Sequence, residues 1–385
     1  MRATQDGGVA IHDSSSGTTR ERAVWIAGVT LFAIVPLAVV LAHIADVIIT
    51  DSVPYDFRVY YDAADVFLDG GSPYVSLAET LAVGGYVYPP FTALVVAPLT
   101  VLDIQVAGVL VLGLLILATL AIPYVLGVRD WRCFGLLLLW PPVIQGLQTG
   151  NATIVMALLA ALAWRFRDRA ALAGLALGTA FAVKLMLWPL AVWLAATRRY
   201  RAVAWMAGSA LLLVLVPWAA VDFVGLREYP TLLREFGEAL DDNAYSLYAV
   251  ALDLGAGSAV ARAVWAVAAI ALLTATVVMA RRRDEPTAFV LAIAATLSVS
   301  PIVWLPYFLM LAVAVAVAQP HLGVLWFAPL AMWGVPGTYD PGSIETVATV
   351  AIAAVTLALA VRITSHTGRQ NVGAAPATVA MEPAR

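Results

Sequence analysis

Between residues 23 and 361 the chain is a succession of long apolar runs, each closed by a short cluster of charged residues. Runs such as 23–49, 104–128 and 258–280 reach the roughly 20 apolar residues that a helix needs to cross a bilayer. Only 12% of the residues are charged, against about 25% in soluble domains. The runs are continuous and rich in Ala, Leu and Val. A membrane β-barrel would instead alternate apolar and polar residues over segments of about ten. The expected fold is therefore all-α, a polytopic transmembrane helical bundle.

Arginines give the orientation. Arg20 and Arg22 precede the first run, and further clusters stand at Arg165, Arg167 and Arg169, at Arg198, Arg199 and Arg201, and at Arg281 to Arg283. Cytoplasmic loops carry such clusters, which puts both termini inside and the loop after the first span outside. A count of about 12 spans satisfies this, if 133–164 is one broken span. Residues 1–22 and 363–385 read as disordered cytoplasmic tails flanking a transmembrane domain, 23–362. The single cysteine, Cys133, excludes an internal disulfide, and four histidines leave little material for a soft metal. There is no phosphate-binding glycine loop, zinc spacing or dinucleotide fingerprint, and nothing points to nucleic acid.

The first outer loop, 50–88, is where chemistry is expected. Asp46, Asp51, Asp56, Asp62, Asp65 and Asp69 crowd into this region, among Tyr55, Arg58, Tyr60 and Tyr61. Residues 59–68 mix apolar residues and acids at helical spacing, as a helix lying on the membrane surface does, and Gly70 and Gly71 end it. Asp56 is the candidate general base; the alternative is a helix cap or a solvated acid. Lys184 interrupts an apolar segment, where a charge costs at least about 2.5 kcal/mol. It either meets a phosphate at the outer leaflet or snorkels to a structural partner. Gln145, Gln148 and Asn151 break another apolar stretch; such amides bind hydroxyls or join helices. Trp304 and Tyr307 suit an interfacial belt as well as sugar stacking.

The order of these pieces resembles glycosyltransferase family 87, of the GT-C class. The motifs are Asp56 with Tyr60 and Tyr61; Gly70, Pro73 and Tyr74; Tyr86 to Pro90; the Gln148 and Asn151 break; Lys184 with Pro189 and the arginines; Asn243 and Ser246; and Ser300 to Trp304. The resemblance implies a GT-C bundle with its active site at the extracytoplasmic face. The donor would be a sugar on a polyprenyl phosphate, mannose or arabinofuranose, and the acceptor a glycolipid or polysaccharide, with no cofactor. Asp56 matches the catalytic base. Lys184, Gln148 and Asn151 would lie near the donor, with Asn243 and Ser300 lining the same cavity. Arg58, Tyr61, Tyr88 and Trp304 complete the expected substrate-binding set. One departure stands out: Pro306 occupies a place where the family commonly has histidine. An inactive protein of the same fold and a lipid or sugar transporter are the competing readings.

Overall fold

The computed structural model describes residues 14–50, 52–240, 244–335 and 342–373. The described residues are helical and contain no strand. The chain enters through α1 (Ser14–Val29) and α2 (Val35–Ile49), joined by a π-helical turn at Thr30–Ile34. Pro36, in the first turn of α2, has no N–H to give and accounts for that local widening. The helix begins within the stretch that composition assigns to a tail; residues 1–13 and 374–385 lie outside the described residues.

Next come α3 (Tyr55–Leu68) and α4 (Leu77–Val83). α3 starts one turn earlier than the spacing of its apolar residues suggests. Pro54 takes the cap position, so Asp56 falls in the first helical turn, and Gly70, at φ 75°, ends the helix. The Ser76 hydroxyl accepts from the Glu79 N–H to start α4, and Gly84 (φ 73°) closes it. α5 (Pro90–Val96) and α6 (Ile104–Val125) follow.

The segment expected to be one broken span is three short helices, α7 (Trp131–Leu138), α8 (Pro141–Thr149) and α9 (Thr153–Arg165). α10 (Ala170–Val183) and α11 (Pro189–Ala196) flank the break at Lys184 that the sequence implies. Then come α12 (Tyr200–Ala220), α13 (Tyr229–Leu240), α14 (Leu247–Asp253), α15 (Ser258–Arg281) and α16 (Glu285–Val299). A 3-10 turn at Leu305–Leu309 leads into α17 (Met310–Ala318), and α18 (Val324–Phe327) and α19 (Ser343–Gly373) complete the chain. Residues 336–341, before α19, lie outside the described residues.

Among the described residues, five helices are long and apolar enough to cross a bilayer alone: Glu21–Ile49, α6, α12, α15 and Ser343–His366 of α19. Six shorter apolar helices accompany them. The protein is thus a polytopic membrane protein, and the count of about twelve spans remains a sequence expectation. Its core is the least exposed part of α9, α16 and α17, where Ile154, Phe289, Ile293 and Leu311 are fully buried.

α10 and α12 run side by side in the same direction. Gly174 faces Ala202 and Trp205, and Gly178 faces Met206 and Ser209; a Cβ at either glycine would collide with α12. Small residues four apart allow this close approach of membrane helices.

Ion pairs gather one end of the bundle. Glu285 meets both Arg167 and Arg199, and Arg199 reaches Asp168 at 2.8 Å. The start of α16 and the turns after α9 and α11 therefore share an end, rich in arginine. α10 and α16 run away from it for about 21 and 22 Å at 1.5 Å per residue. They finish at Lys184 and Ser300, at the opposite end.

Candidate active site

Asp56 projects from the first turn of α3 and is held by the turn between α8 and α9. Its Oδ2 accepts a hydrogen bond from Asn151 Nδ2 at 2.7 Å. The other end of that amide is taken: Asn151 Oδ1 accepts from the Thr153 N–H at 2.9 Å. With its carbonyl committed, the Asn151 side chain can only donate towards Asp56. Gly150 makes the approach possible. It has φ 70°, and a Cβ there would stand 2.9 Å from the Cβ of Phe57 and 3.1 Å from that of Pro54.

Burial pushes the Asp56 carboxyl above its ordinary pKa, and the charge of Lys184 and the Asn151 hydrogen bond oppose the rise. Thr149 beside it is buried, and its hydroxyl makes no hydrogen bond of good geometry.

Lys184 leaves the end of α10 in extended backbone (φ −158°). Its Nζ contacts the Tyr307 hydroxyl and lies 3.8 Å from the centre of that ring. The Tyr88 ring is 5.1 Å away. Tyr88 is itself fixed. It packs edge-on to Tyr60 at 5.2 Å, and its carbonyl accepts from the Tyr74 hydroxyl at 2.8 Å. The Tyr86 hydroxyl donates to the Pro89 carbonyl and accepts from the Ala93 N–H at 3.1 Å. The 86–90 stretch is therefore a strap pinned by phenols.

These groups surround a cavity of about 700 Å³. Of the residues expected from the sequence, Asp56, Tyr88, Asn151, Lys184, Ser300 and Trp304 line it. The far wall is apolar, with Leu233, Phe236 and Leu240 of α13 and Leu81 of α4.

Three expected residues do not line it. Arg58 is exposed on another face of α3, because residues two apart on a helix do not face the same way. Tyr61 donates to the Leu102 carbonyl at 2.8 Å and ties α3 to the start of α6. Gln148 is exposed on the last turn of α8. Asn243 lies outside the described residues. Sequence reasoning passed over Thr149 and left Tyr307 between an interfacial belt and sugar stacking, outside the expected site set, yet both line the cavity. Among the described residues no three His, Cys, Asp or Glu side chains cluster as metal ligands.

Fold and cavity together define an integral membrane protein whose polar site sits at the ends of its helices opposite the arginines. The model of glycosyltransferase family 87 matches residues 86–304, more than half of the chain. The chain belongs to that family and is a membrane glycosyltransferase. The match covers Tyr88, Asn151, Lys184, Ser300 and Trp304 and begins after α3, so Asp56 stands outside it. No curated protein and no solved structure matches the chain.

Proposed function

We propose that the protein transfers a sugar, of the mannose or arabinofuranose class, from a polyprenyl-phosphate donor to a glycolipid or polysaccharide acceptor at the extracytoplasmic face. The observation that carries this reading is that a half-buried carboxylate and a lysine line one cavity with an apolar wall. A lipid-linked phosphosugar has that same division: a charged, hydroxylated head on a long hydrocarbon tail.

In the reaction, the acceptor hydroxyl oxygen forms a bond to the anomeric carbon of the sugar, and the bond from that carbon to the phosphate oxygen breaks. The phosphate leaves with the electron pair on its lipid, and the hydroxyl proton passes to the Asp56 carboxylate. Lys184 faces the charge that grows on the leaving phosphate, the kind of electrostatic assistance that works best where water is excluded. Asn151 holds the carboxylate in place through its 2.7 Å hydrogen bond. Phosphate on a lipid departs without a nucleotide, so the reaction needs none.

Charge supports the extracytoplasmic side. Lys184 and Ser300 lie at the ends of α10 and α16 away from the arginine clusters, and arginine-rich loops stay in the cytoplasm. The test is transfer of labelled sugar from a polyprenyl-phosphate donor in membranes containing the protein. Transfer is expected from the wild type and not from Asp56→Asn. A folded Asp56→Asn protein with full activity would remove the mechanism, and a wild type inert towards every lipid-phosphate sugar would remove the reading.

A further inference from the structure

Lys184 brings a positive charge into the cavity, and what holds that charge is aromatic rather than acidic. Among the described residues no carboxylate stands within ion-pair distance of its Nζ. Asp56, the acid that feels its charge, is bound to Asn151 instead. The contacts of Nζ are the Tyr307 hydroxyl and the faces of the Tyr307 and Tyr88 rings, at 3.8 and 5.1 Å. Ring faces steady a cation without cancelling its charge. An anion entering the cavity favours the ammonium form and meets a charge that no ion pair among the described residues has taken up.

The lysine contact also has a direction. In its ammonium form Lys184 has three donors and no acceptor, so it donates and the Tyr307 oxygen accepts. The phenol proton must then point away from Lys184. No acceptor among the described residues takes it, although the Tyr307 side chain is only 3% exposed and lines the cavity. Tyr307 is held from behind: its N–H bonds the Trp304 carbonyl at 2.9 Å, and Pro306 sets the first residues of the 3-10 turn. A buried phenol with a fixed ring and an unclaimed proton is a hydrogen-bond donor waiting for a partner.

We propose that Tyr307 is a positioning residue for Lys184 and a second donor to the same ligand, so that the two side chains form a two-donor seat for one anionic oxygen group. Resting on the reading above, that group is the phosphate of the lipid-linked donor.

The experiment measures binding of decaprenyl phosphate and of decaprenol, which lacks the phosphate, to the full-length protein in lipid nanodiscs. The wild type holds the phosphate more tightly. Tyr307→Phe keeps the ring and removes the hydroxyl; it weakens decaprenyl phosphate binding about tenfold and leaves decaprenol binding and the melting temperature unchanged. Lys184→Met removes the preference for the phosphate. The inference falls if Tyr307→Phe leaves decaprenyl phosphate binding as it was, or if it weakens both lipids equally, as a packing defect would. A wild type that holds the two lipids equally defeats the phosphate-lipid reading itself, and the inference with it. The two failures are thus seen in different proteins.

Discussion

At the scale of single residues, the cavity holds its carboxylate under tension. Asp56 is pushed above the ordinary carboxylate pKa by burial and only partly brought back by Lys184 and Asn151. A group whose folded pKa exceeds its unfolded one binds more protons in the folded state, so stability falls as pH rises from the unfolded pKa through the folded one. Above that window the ionised Asp56 is a standing cost. Asp56→Asn removes the charge, keeps the shape and keeps an acceptor for Asn151. We expect it to lower transfer by about 10² to 10⁴-fold while the melting temperature at pH 7 stays level or rises. A parallel fall in melting temperature would mark Asp56 as structural. With Asp56 as the proposed base, the same group would set the acid side of the rate profile, because a base works only when ionised. Asn151→Ala withdraws a donor from the charged form, so the pKa climbs further. The acid limb of kcat/KM should move to higher pH, and an unmoved limb would separate Asn151 from the base. Asp56 and Lys184 were legible in the sequence because charge is scarce in so apolar a chain. Tyr307 and Thr149 were not, since phenols and hydroxyls are common in apolar runs and carry no sign of which way they face. Arg58 misled for a related reason: nearness in sequence is not nearness on a helix.

At the scale of elements, the site depends on two close approaches that only glycine permits. Gly150 brings the α8–α9 turn against the start of α3, and Gly178 with Gly174 brings α10 against α12, which places Lys184. The first is the more exposed to change, because Gly150 is both left-handed and crowded. A side chain in left-handed backbone costs roughly 1 to 2 kcal/mol before any clash is counted. Gly150→Val should therefore lower the melting temperature and cut transfer by at least about tenfold, since even small displacements of a catalytic group are expensive. Thermal unfolding and transfer measured on one preparation check both halves; full activity would show that Asp56 does not need this turn. The sequence announced some of these joints clearly. Gly70 ends α3, and the break at Lys184 coincides with an interrupted apolar run. It blurred the region from α7 to α9, where apolar composition is even and the breaks rest on a proline pair and a single glycine. The early start of α3 was missed because Pro54 defines it locally, whereas apolar spacing becomes readable only a turn later.

At the scale of the whole molecule, the question is which compartment the cavity opens to, and the arginine network supplies the argument. Three arginine-bearing turns, distant in sequence, meet around Glu285 and Asp168. If one of these turns is cytoplasmic, all are, because folded ion pairs hold them to the same end. Lys184 and Ser300, at the other ends of α10 and α16, are then outside, together with Asp56. The single cysteine, Cys133, is buried, so a Cys133→Ala protein is a clean background for labelling. In that background we expect Glu79→Cys, exposed on α4 beside the cavity, to react with a membrane-impermeant maleimide in intact cells. Arg282→Cys, exposed after α15, should react only once the membrane is opened. Each site serves as the control for the other, since both are exposed and neither touches the cavity polar groups. The reverse pattern would put the carboxylate in the cytoplasm and the lysine with it. A lipid-linked donor presented at the outer leaflet could then not reach them, whatever the geometry of the cavity.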